Sequence, residues 1–207
     1  MEIQGFNKYD FETFQIDGLE ARMEAIQTRI QPKFRVFGNH LVQYLAETLN
    51  QEMYLHIAKH ARRTKNAPND TWAAFSHNKR GYKKHPHFQL GLWDDRVFVW
   101  LAFIYELPNK VEIAEVFLNH EEELLNIIPN EFVLSMDHMK KDIQPIHATT
   151  LSASLNRFKN VKKAELLIGK QFPAEHPLLS NGEEFLSEVK DIFEKLLPVY
   201  TLSFKYM

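Results

Sequence analysis

The sequence predicts an α+β fold with one mainly antiparallel sheet, a meander over about residues 53–105, packed with N-terminal, central and C-terminal helices. Apolar residues recur at helical spacing before residue 50 and after residue 108, whereas they alternate or run continuously between these points. The helical segments therefore flank a run of strands, which is typical of the α+β class. At 207 residues with 44% hydrophobic content, we expect a single domain over residues 1–207.

Two helices are expected in the first 50 residues. Asp17 with Glu20 forms a capping pattern ahead of apolar residues at helical spacing, which predicts an amphipathic helix over residues 18–30. Pro32 suits the first turn of a second helix, where a missing N–H costs nothing. An apolar stripe extends that second helix to about residue 50.

Four strands are expected next. The stretch "MYLHIAKHA" alternates as a strand does, "TWAAFSH" is a second strand, and "HFQLGLW" is a third. After a turn at Asp94 and Asp95, "RVFVWLAFIYE" is apolar on both faces and is expected at the centre of the sheet. The polar stretch "SHNKRGYKKHPHF" then joins the second and third strands.

The second half of the chain returns to helical spacing. Asn109 with Glu112 predicts a capped helix that runs to about Ile128, and Asn181 with Glu184 predicts a capped final helix. Between them we expect a strand in "EFVLSMD", a short helix in "TLSASLNRF" and a strand in "KAELLIGKQF". The tail "PVYTLSFKY" alternates weakly and is expected to add an edge strand.

Several classes of protein are excluded by what the sequence lacks. There is no cysteine, so disulfides, thiol nucleophiles and thiolate metal sites are excluded. The seven glycines are scattered singly, and neither a phosphate-binding loop, a dinucleotide fingerprint nor a Gly-x-Ser-x-Gly elbow occurs. The first residues carry an early acid and no apolar run, and the longest apolar run, 97–105, is too short to span a bilayer. We therefore expect a soluble cytoplasmic protein without a membrane partner.

The net charge of −2 hides a division along the chain. Residues 56–88 hold eight Lys/Arg against one acid, a net charge of +7, so the rest of the chain carries −9. Much of that negative charge lies in residues 112–123 and 183–194. This asymmetry concerns local potential and therefore partners more than fold.

Nearly the whole chain resembles a known family. The stretch "MYLHIAKHARRTKNAPNDTWAAFSHNKRGYKKHPHFQLGLWDDRVFVWLAFIYE", with "DFETFQIDGLEARM" before it and "VKKAELLIGKQF" after it, is similar to the YktB-like proteins of Bacillus and related Firmicutes. The resemblance implies a small cytosolic α+β protein of unknown function. It identifies no catalytic residues that could be transferred to this chain, and the cofactor stays unknown.

The basic segment is the strongest positive signal for function. Its cations would attract phosphates, and Trp72, Phe75, Tyr82 and Phe88 are interleaved aromatics that could stack on bases, as in single-stranded nucleic-acid sites. We expect side chains from separate loops to converge there and to bind a phosphate-bearing ligand, a nucleotide or RNA. The alternative is that the aromatics belong to the core and the cations form a solvated rim. The candidate ligand-binding residues are Arg62, Arg63, His77, Lys79, Arg80, Tyr82, Lys83, Lys84 and His87.

Histidines provide a second hypothesis. His56 and His60 share one strand face by spacing, and His85 and His87 share another, so neighbouring strands could bring them together around a divalent metal of a hydrolase. A carboxylate ligand could come from Asp94, Asp95 or Asp137, the last of which is adjacent to His138. Hydrogen-bonded structural histidines are the alternative.

The acidic segments provide a third. The run "NHEEELL" is most simply a solvated helix face. Alternatively, the acidic helix of one protomer meets the basic sheet end of another and forms a homo-oligomer, because complementary charge steers encounter. A protein-interaction domain that binds a partner through exposed apolar surface, without a small ligand, also stays open.

Overall fold

The computed structural model describes residues 3–206 and confirms an α+β fold with one open antiparallel sheet. The described strands are β1 (Tyr54–Ile57), β2 (Asp70–Ser76), β3 (His87–Trp93), β4 (Arg96–Phe103), β5 (Val133–Ser135), β6 (Gln144–Pro145) and β7 (Leu166–Pro173). Their order across the sheet is β1-β2-β3-β4-β7-β5-β6. The predicted meander is therefore confirmed, and β4 occupies the central position expected from its two apolar faces.

Helices precede, interrupt and follow the strands as predicted. They are α1 (Lys8–Glu12), α2 (Leu19–Ala25), α3 (Gln31–Leu49), α4 (Lys110–Asn119), α5 (Glu121–Ile127), α6 (Ala148–Asn160) and α7 (Gly182–Leu202). Short 3-10 turns cover Thr13–Gln15, Tyr82–Lys84 and Pro177–Ser180, and a π turn covers Ile26–Ile30. None of the helices within residues 3–206 combines the length and the apolar content needed to cross a membrane.

The contacts divide the described chain into two compact units. The first unit comprises residues 3–79, Gln89–Val99 and Gln171–Lys190, and the second comprises Arg80–Phe88, Trp100–Lys170 and residues 191–206. The single domain over residues 1–207 stays a prediction.

The core of the first unit is an aromatic cluster. Phe6 stacks on Phe37 with 5.5 Å between ring centroids and meets Phe34 and Phe185 edge-on at 6.1 and 6.0 Å. Phe172 of β7 meets Phe185 edge-on at 5.6 Å. Edge-on and offset rings place positive ring edges against negative faces, which adds to the gain from burial. This cluster fastens the N-terminal segment to α3 and α7.

The core of the second unit is also aromatic. Phe103 of β4 meets Phe117 of α4 and Phe158 of α6 edge-on, at 5.2 and 6.4 Å. The ring of Phe88, at the start of β3, lies 4.6 Å from Phe193 and 5.2 Å from Tyr200 of α7. All of these rings are buried.

The first two predicted helices are confirmed, but the predicted cap is wrong. Residues 19–49 are helical without a break through the π turn, and Pro32 lies in the first turn of α3. The cap of α2 is Gly18, not Asp17, and no side chain bonds there. Gly18 has a φ of 86°, a conformation that glycine adopts at little cost, and the chain therefore turns at Gly18. Arg22 Nε instead ties the entry to the helix by donating to the Ile16 carbonyl at 2.9 Å.

The central helix differs from the prediction at both ends. Asn109 precedes α4 but makes no capping bond, and its Nδ2–H donates to the Tyr206 hydroxyl at 2.8 Å. The helix does not run to Ile128 without interruption, since it stops at Asn119 and α5 begins after His120. His120 leaves the helical conformation, with φ −123° and ψ 25°, and its Nδ1–H donates to the Val116 carbonyl at 2.7 Å.

The remaining strands and helices fall where the sequence predicts them, except at the tail. Asn181 caps the final helix by accepting the Glu184 N–H at 3.3 Å, as predicted. The predicted edge strand in the tail is wrong, because α7 continues through Pro198 to Leu202. Phe193 and Tyr200, seven residues apart, share one helix face and both contact Phe88, so core packing outweighs the weak alternation. Strand β6 was not anticipated.

Replacing Gly91 of β3 should destabilise the protein. A Cβ at Gly91 would lie 2.1 Å from Phe98 Cζ and 2.8 Å from the Thr71 carbonyl oxygen, and both neighbours are fully packed. We expect Gly91→Ala to lower the free energy of unfolding by about 1–3 kcal/mol, measured by urea denaturation. Gly38→Ala is the matched control, because the nearest atoms to its Cβ belong to the rotatable side chain of Leu55 rather than to backbone, and alanine favours the helix. Equal losses in the two variants would contradict this interpretation.

Candidate functional site

Strand β2 separates the candidate ligand-binding residues of the first unit into two groups. Arg62 and Arg63 lie in the loop before β2, and His77 and Lys79 follow its last residue. The register fixes this order, since Ile57 pairs with Ala73 and Tyr54 pairs with Ser76. Seven extended residues span about 20 Å. The two groups therefore lie before and after β2, and their binding of one common ligand stays a prediction.

Two arginine side chains hold the loop before β2, residues 58–69, by donating hydrogen bonds to its backbone carbonyls. Arg63 Nη1 donates to the carbonyls of Asn66 and Ala67, both at 3.4 Å, and Arg22 Nη1 donates to the Pro68 carbonyl at 3.0 Å. His60 adopts a positive φ of 49°. Arg63 therefore shapes this loop, whereas Arg62 is exposed.

Most of the interleaved aromatics cannot stack on bases. Trp72, Phe75 and Phe88 are buried, as the alternative interpretation expected, and only Tyr82 is partly exposed. A ring must present a face to the ligand in order to stack. The basic segment therefore offers charge to a ligand far more than it offers stacking.

A compact basic turn, residues 80–87, remains in the second unit. Gly81 adopts the left-handed conformation with φ 67°, and a 3-10 turn over Tyr82–Lys84 follows. The turn closes through two backbone hydrogen bonds, from Lys84 N to the Gly81 carbonyl at 2.9 Å and from His85 N to the Tyr82 carbonyl at 3.0 Å. Arg80 and Lys84 are exposed, and Lys83 is half-buried.

His87 anchors the end of the basic turn. It is fully buried, its Nδ1–H donates to the His85 carbonyl at 2.8 Å, and its ring meets Tyr82 edge-on at 5.0 Å. Phe88, the next residue, is locked in the aromatic core of the second unit. The turn is therefore preorganised by the sheet, and His87 acts as a positioning residue there.

One ion pair of the basic turn lies within the second unit. Lys83 Nζ lies 3.9 Å from Glu106 Oε1, and each side chain is 33% exposed. Such a pair contributes little, because water screens it and both side chains lose freedom. In the part of the chain that the structure describes, Lys84 has no carboxylate within ion-pair distance.

A positive charge on the neighbouring His85 is disfavoured by its surroundings. Burial lowers the pKa of His85 from its ordinary value of 6.5, and the positive charge of Lys84 lowers it further. His85 therefore acts as a neutral hydrogen-bonding group beside the cations.

In three of the four histidines predicted to bind a metal, one ring nitrogen already makes a hydrogen bond within the protein. His56 Nε2–H donates to the Asn78 carbonyl at 2.9 Å, His60 Nε2 lies 3.2 Å from Thr71 Oγ1, and His87 uses Nδ1. Metal-bound imidazoles also engage their second nitrogen in this way. His56 and His60 belong to the first unit, and His85 and His87 belong to the second. A metal site built from these four residues stays a prediction.

A different cluster, in the second unit, brings potential ligand atoms together. Asp137, His138 and Glu165 each offer one ligand atom, and these atoms lie within 4.8 Å of one another. His138 Nδ1 lies 2.7 and 2.9 Å from the two oxygens of Glu165, and the His138 backbone N–H donates to Glu165 Oε2 at 2.7 Å. The sequence indicated only Asp137 beside His138. Glu165 is 27 residues further along the chain and carries no local signal.

Lys110 fixes the segment that leads into Glu165. Its ammonium is buried and donates to the carbonyls of Val161, Lys162 and Ala164 at 2.6, 3.0 and 3.3 Å. Burial lowers the pKa of Lys110, and the Glu165 carboxylate opposes that shift. Three carbonyls satisfy all three N–H donors of the ammonium, which makes its burial tolerable.

A cavity of about 270 Å³ adjoins the cluster through Asp137. Three cationic side chains, Lys140, Arg157 and Lys163, line it together with Asp142. Larger cavities of about 560 and 510 Å³ in the first unit are lined differently. In the cavity of about 560 Å³, Lys33 forms an ion pair with Asp10 at 2.6 Å. The charged residues that line the cavity of about 510 Å³ are mainly acidic.

Comparisons with known proteins agree on one family. A family model described as a domain of unknown function (DUF1054) matches residues 6–200. A UPF0637 protein of Oceanobacillus iheyensis is 57% identical over 202 residues, which are 97% of each chain. A UPF0637 protein of Shouchella clausii is 53% identical over 98% of this chain and 96% of its own. A UPF0637 protein of Listeria monocytogenes is 50% identical over 98% of this chain and 99% of its own. The resemblance to a Firmicutes family is thereby confirmed.

Titration of His85 should show the effect of burial directly. We expect its midpoint, followed by the imidazole proton resonances in NMR, to lie below 6.5, since burial and Lys84 both disfavour the charged form. Because the folded-state pKa is the lower one, the stability that His85 contributes is full above pH 6.5 and falls as the pH drops below it. Lys84→Ala should raise the midpoint only part of the way, because burial is the larger cause. A wild-type midpoint at or above 6.5 would contradict this.

Proposed function

The chain belongs to the DUF1054 family, whose description assigns no activity, and from the geometry of the basic turn we propose that it binds a phosphate-bearing ligand there. A nucleotide and single-stranded RNA are the two sources of phosphate that fit. The observation that carries this proposal is the presence of Arg80, Lys83 and Lys84 on one turn that backbone hydrogen bonds hold in place.

Preorganisation is what distinguishes this turn from an ordinary solvated rim. The two backbone hydrogen bonds at Gly81 and Tyr82 and the buried His87 hold the cations on a fixed backbone. A ligand that meets a fixed turn does not have to order it, so less affinity is lost on binding. Lys and Arg then supply charge-assisted hydrogen bonds to phosphate oxygens.

The chemistry of the turn favours recognition of phosphate over recognition of bases. Only Tyr82 offers a partly exposed ring, and its edge contact with His87 limits the face that it presents. We therefore infer weak dependence on base identity and strong dependence on salt, since each neutralised phosphate releases counterions. We place this binding in the cytoplasm, which fits the lack of cysteine.

A triple variant tests the proposal. Arg80→Ala, Lys83→Ala and Lys84→Ala together should weaken binding of a fluorescent single-stranded RNA and of ATP by about tenfold or more, measured by anisotropy and by calorimetry. The slope of log affinity against log salt for RNA should fall by about two units. Loss of RNA binding alone would assign the turn to RNA, and loss of ATP binding alone would assign it to a nucleotide.

A matched variant controls for loss of charge. Lys59→Ala, Arg62→Ala and Lys65→Ala remove the same charge from the exposed loop before β2 and should leave binding nearly unchanged, because the proposal assigns the contacts with phosphate to the basic turn. Equal losses in both triple variants, or no binding by the wild-type protein, would refute the site. Light scattering across the same salt series shows whether wild-type protein self-associates, as the predicted contact between acidic helix and basic turn requires.

A further inference from the structure

The cluster of Asp137, His138 and Glu165 has the donor atoms of a metal centre. It combines one imidazole nitrogen with oxygens from two carboxylates, all within 4.8 Å. We propose that these three side chains bind a divalent transition metal, with zinc as the ion. This inference is independent of the phosphate site proposed at the basic turn.

The distances suit a single ion between two of the three side chains. His138 Nδ1 lies 2.7 Å from Glu165 Oε2, whereas two ligands of a tetrahedral zinc ion with bonds of ~2.0–2.2 Å lie about 3.4 Å apart, so these atoms separate by about 0.7 Å when the ion enters. It replaces the proton that lies between them, because a ligating nitrogen must carry a lone pair. No large movement of His138 or Glu165 is needed.

Asp137 completes the ligand set by a small movement. Ligands of a tetrahedral ion with such bond lengths lie about 3.4 Å apart, so Asp137 moves inward by up to about 1.4 Å from the 4.8 Å limit of the cluster. The Asp137 side chain is 43% exposed, so it is able to rotate. Its Oδ1 accepts the Met139 N–H at 2.9 Å, which keeps the carboxylate at the cluster.

The type of donor selects the class of ion. Imidazole favours zinc and its first-row neighbours over magnesium and calcium, which prefer oxygen alone. Three protein ligands leave at least one coordination position for water or another small ligand. The cavity that Asp137 also lines carries Lys140, Arg157 and Lys163, so a small anion is the co-ligand that its charge favours.

Nearby cations make a testable opposing contribution. Lys140 Nζ lies 3.8 Å from Asp137 Oδ2 and competes for the same oxygen. The buried ammonium of Lys110 interacts electrostatically with the Glu165 carboxylate, which opposes the lowering of the Lys110 pKa by burial. Removing the exposed charge of Lys140 should therefore improve metal binding, whereas a merely structural cluster predicts no change in metal binding.

Calorimetric titration of the chelator-treated, untagged full chain with zinc chloride tests the site. We expect one ion per chain, at least about tenfold weaker binding in Asp137→Asn, and no binding at this site in His138→Ala. Lys140→Ala should bind roughly two- to fivefold more tightly. Magnesium chloride should give no comparable heat.

Two controls keep the test decisive. His85→Ala, which removes a histidine of the sequence-predicted site, should bind zinc as the wild-type protein does. Circular dichroism checks the fold, and since Asp137 is partly exposed, Asp137→Asn keeps the test valid even if His138→Ala unfolds. Absence of zinc binding by the wild-type protein, wild-type affinity in folded Asp137→Asn, or loss of binding in His85→Ala would overturn the proposal.

Discussion

Complete burial of β2 and β3 is the constraint on which the rest of this structure depends. Every residue of both strands is buried, so neither strand presents a face to water. Polar groups in such strands have to be hydrogen-bonded within the protein. His87 is an example, because its Nδ1–H donates to the His85 carbonyl. This hydrogen bond fixes the basic turn. Groups that meet a ligand are left at the strand ends and in the loops.

The burial of the sheet also separates the charged residues into buried ones with partners in the protein and exposed ones that face solvent. Three of the buried ones have close partners, since Asp10 pairs with Lys33 at 2.6 Å, Lys110 donates to three carbonyls, and Glu165 accepts from the His138 backbone N–H. An unpaired buried charge would cost several kcal/mol, about the whole stability margin of a domain. The two proposed sites therefore work differently. The basic turn presents cations to solvent, whereas the cluster at Glu165 presents a buried carboxylate and an imidazole that are already oriented.

Places where the sequence misleads are places where a tertiary contact competes with a local rule. Asn109 has the spacing of a capping residue, but its amide bonds to Tyr206, 97 residues away. Pro198 suggests a helix end, yet α7 continues because Tyr200 packs on Phe88. The short α1 is an exception, because it was not predicted although Asn7 and Asp10 have the local spacing of the capping box that opens it.

The sequence by itself determined the class of fold, the meander with β4 at its centre, the long helices and the position of the basic segment, because periodicity and composition act over neighbouring residues. Tertiary structure alone decided the sites. It placed Arg62 and Lys79 at opposite ends of β2, buried Trp72 and Phe75, and brought Glu165 to His138. Pairing of strands and packing of helices join residues far apart in the chain, and no local pattern records which distant side chain will fill the remaining contact.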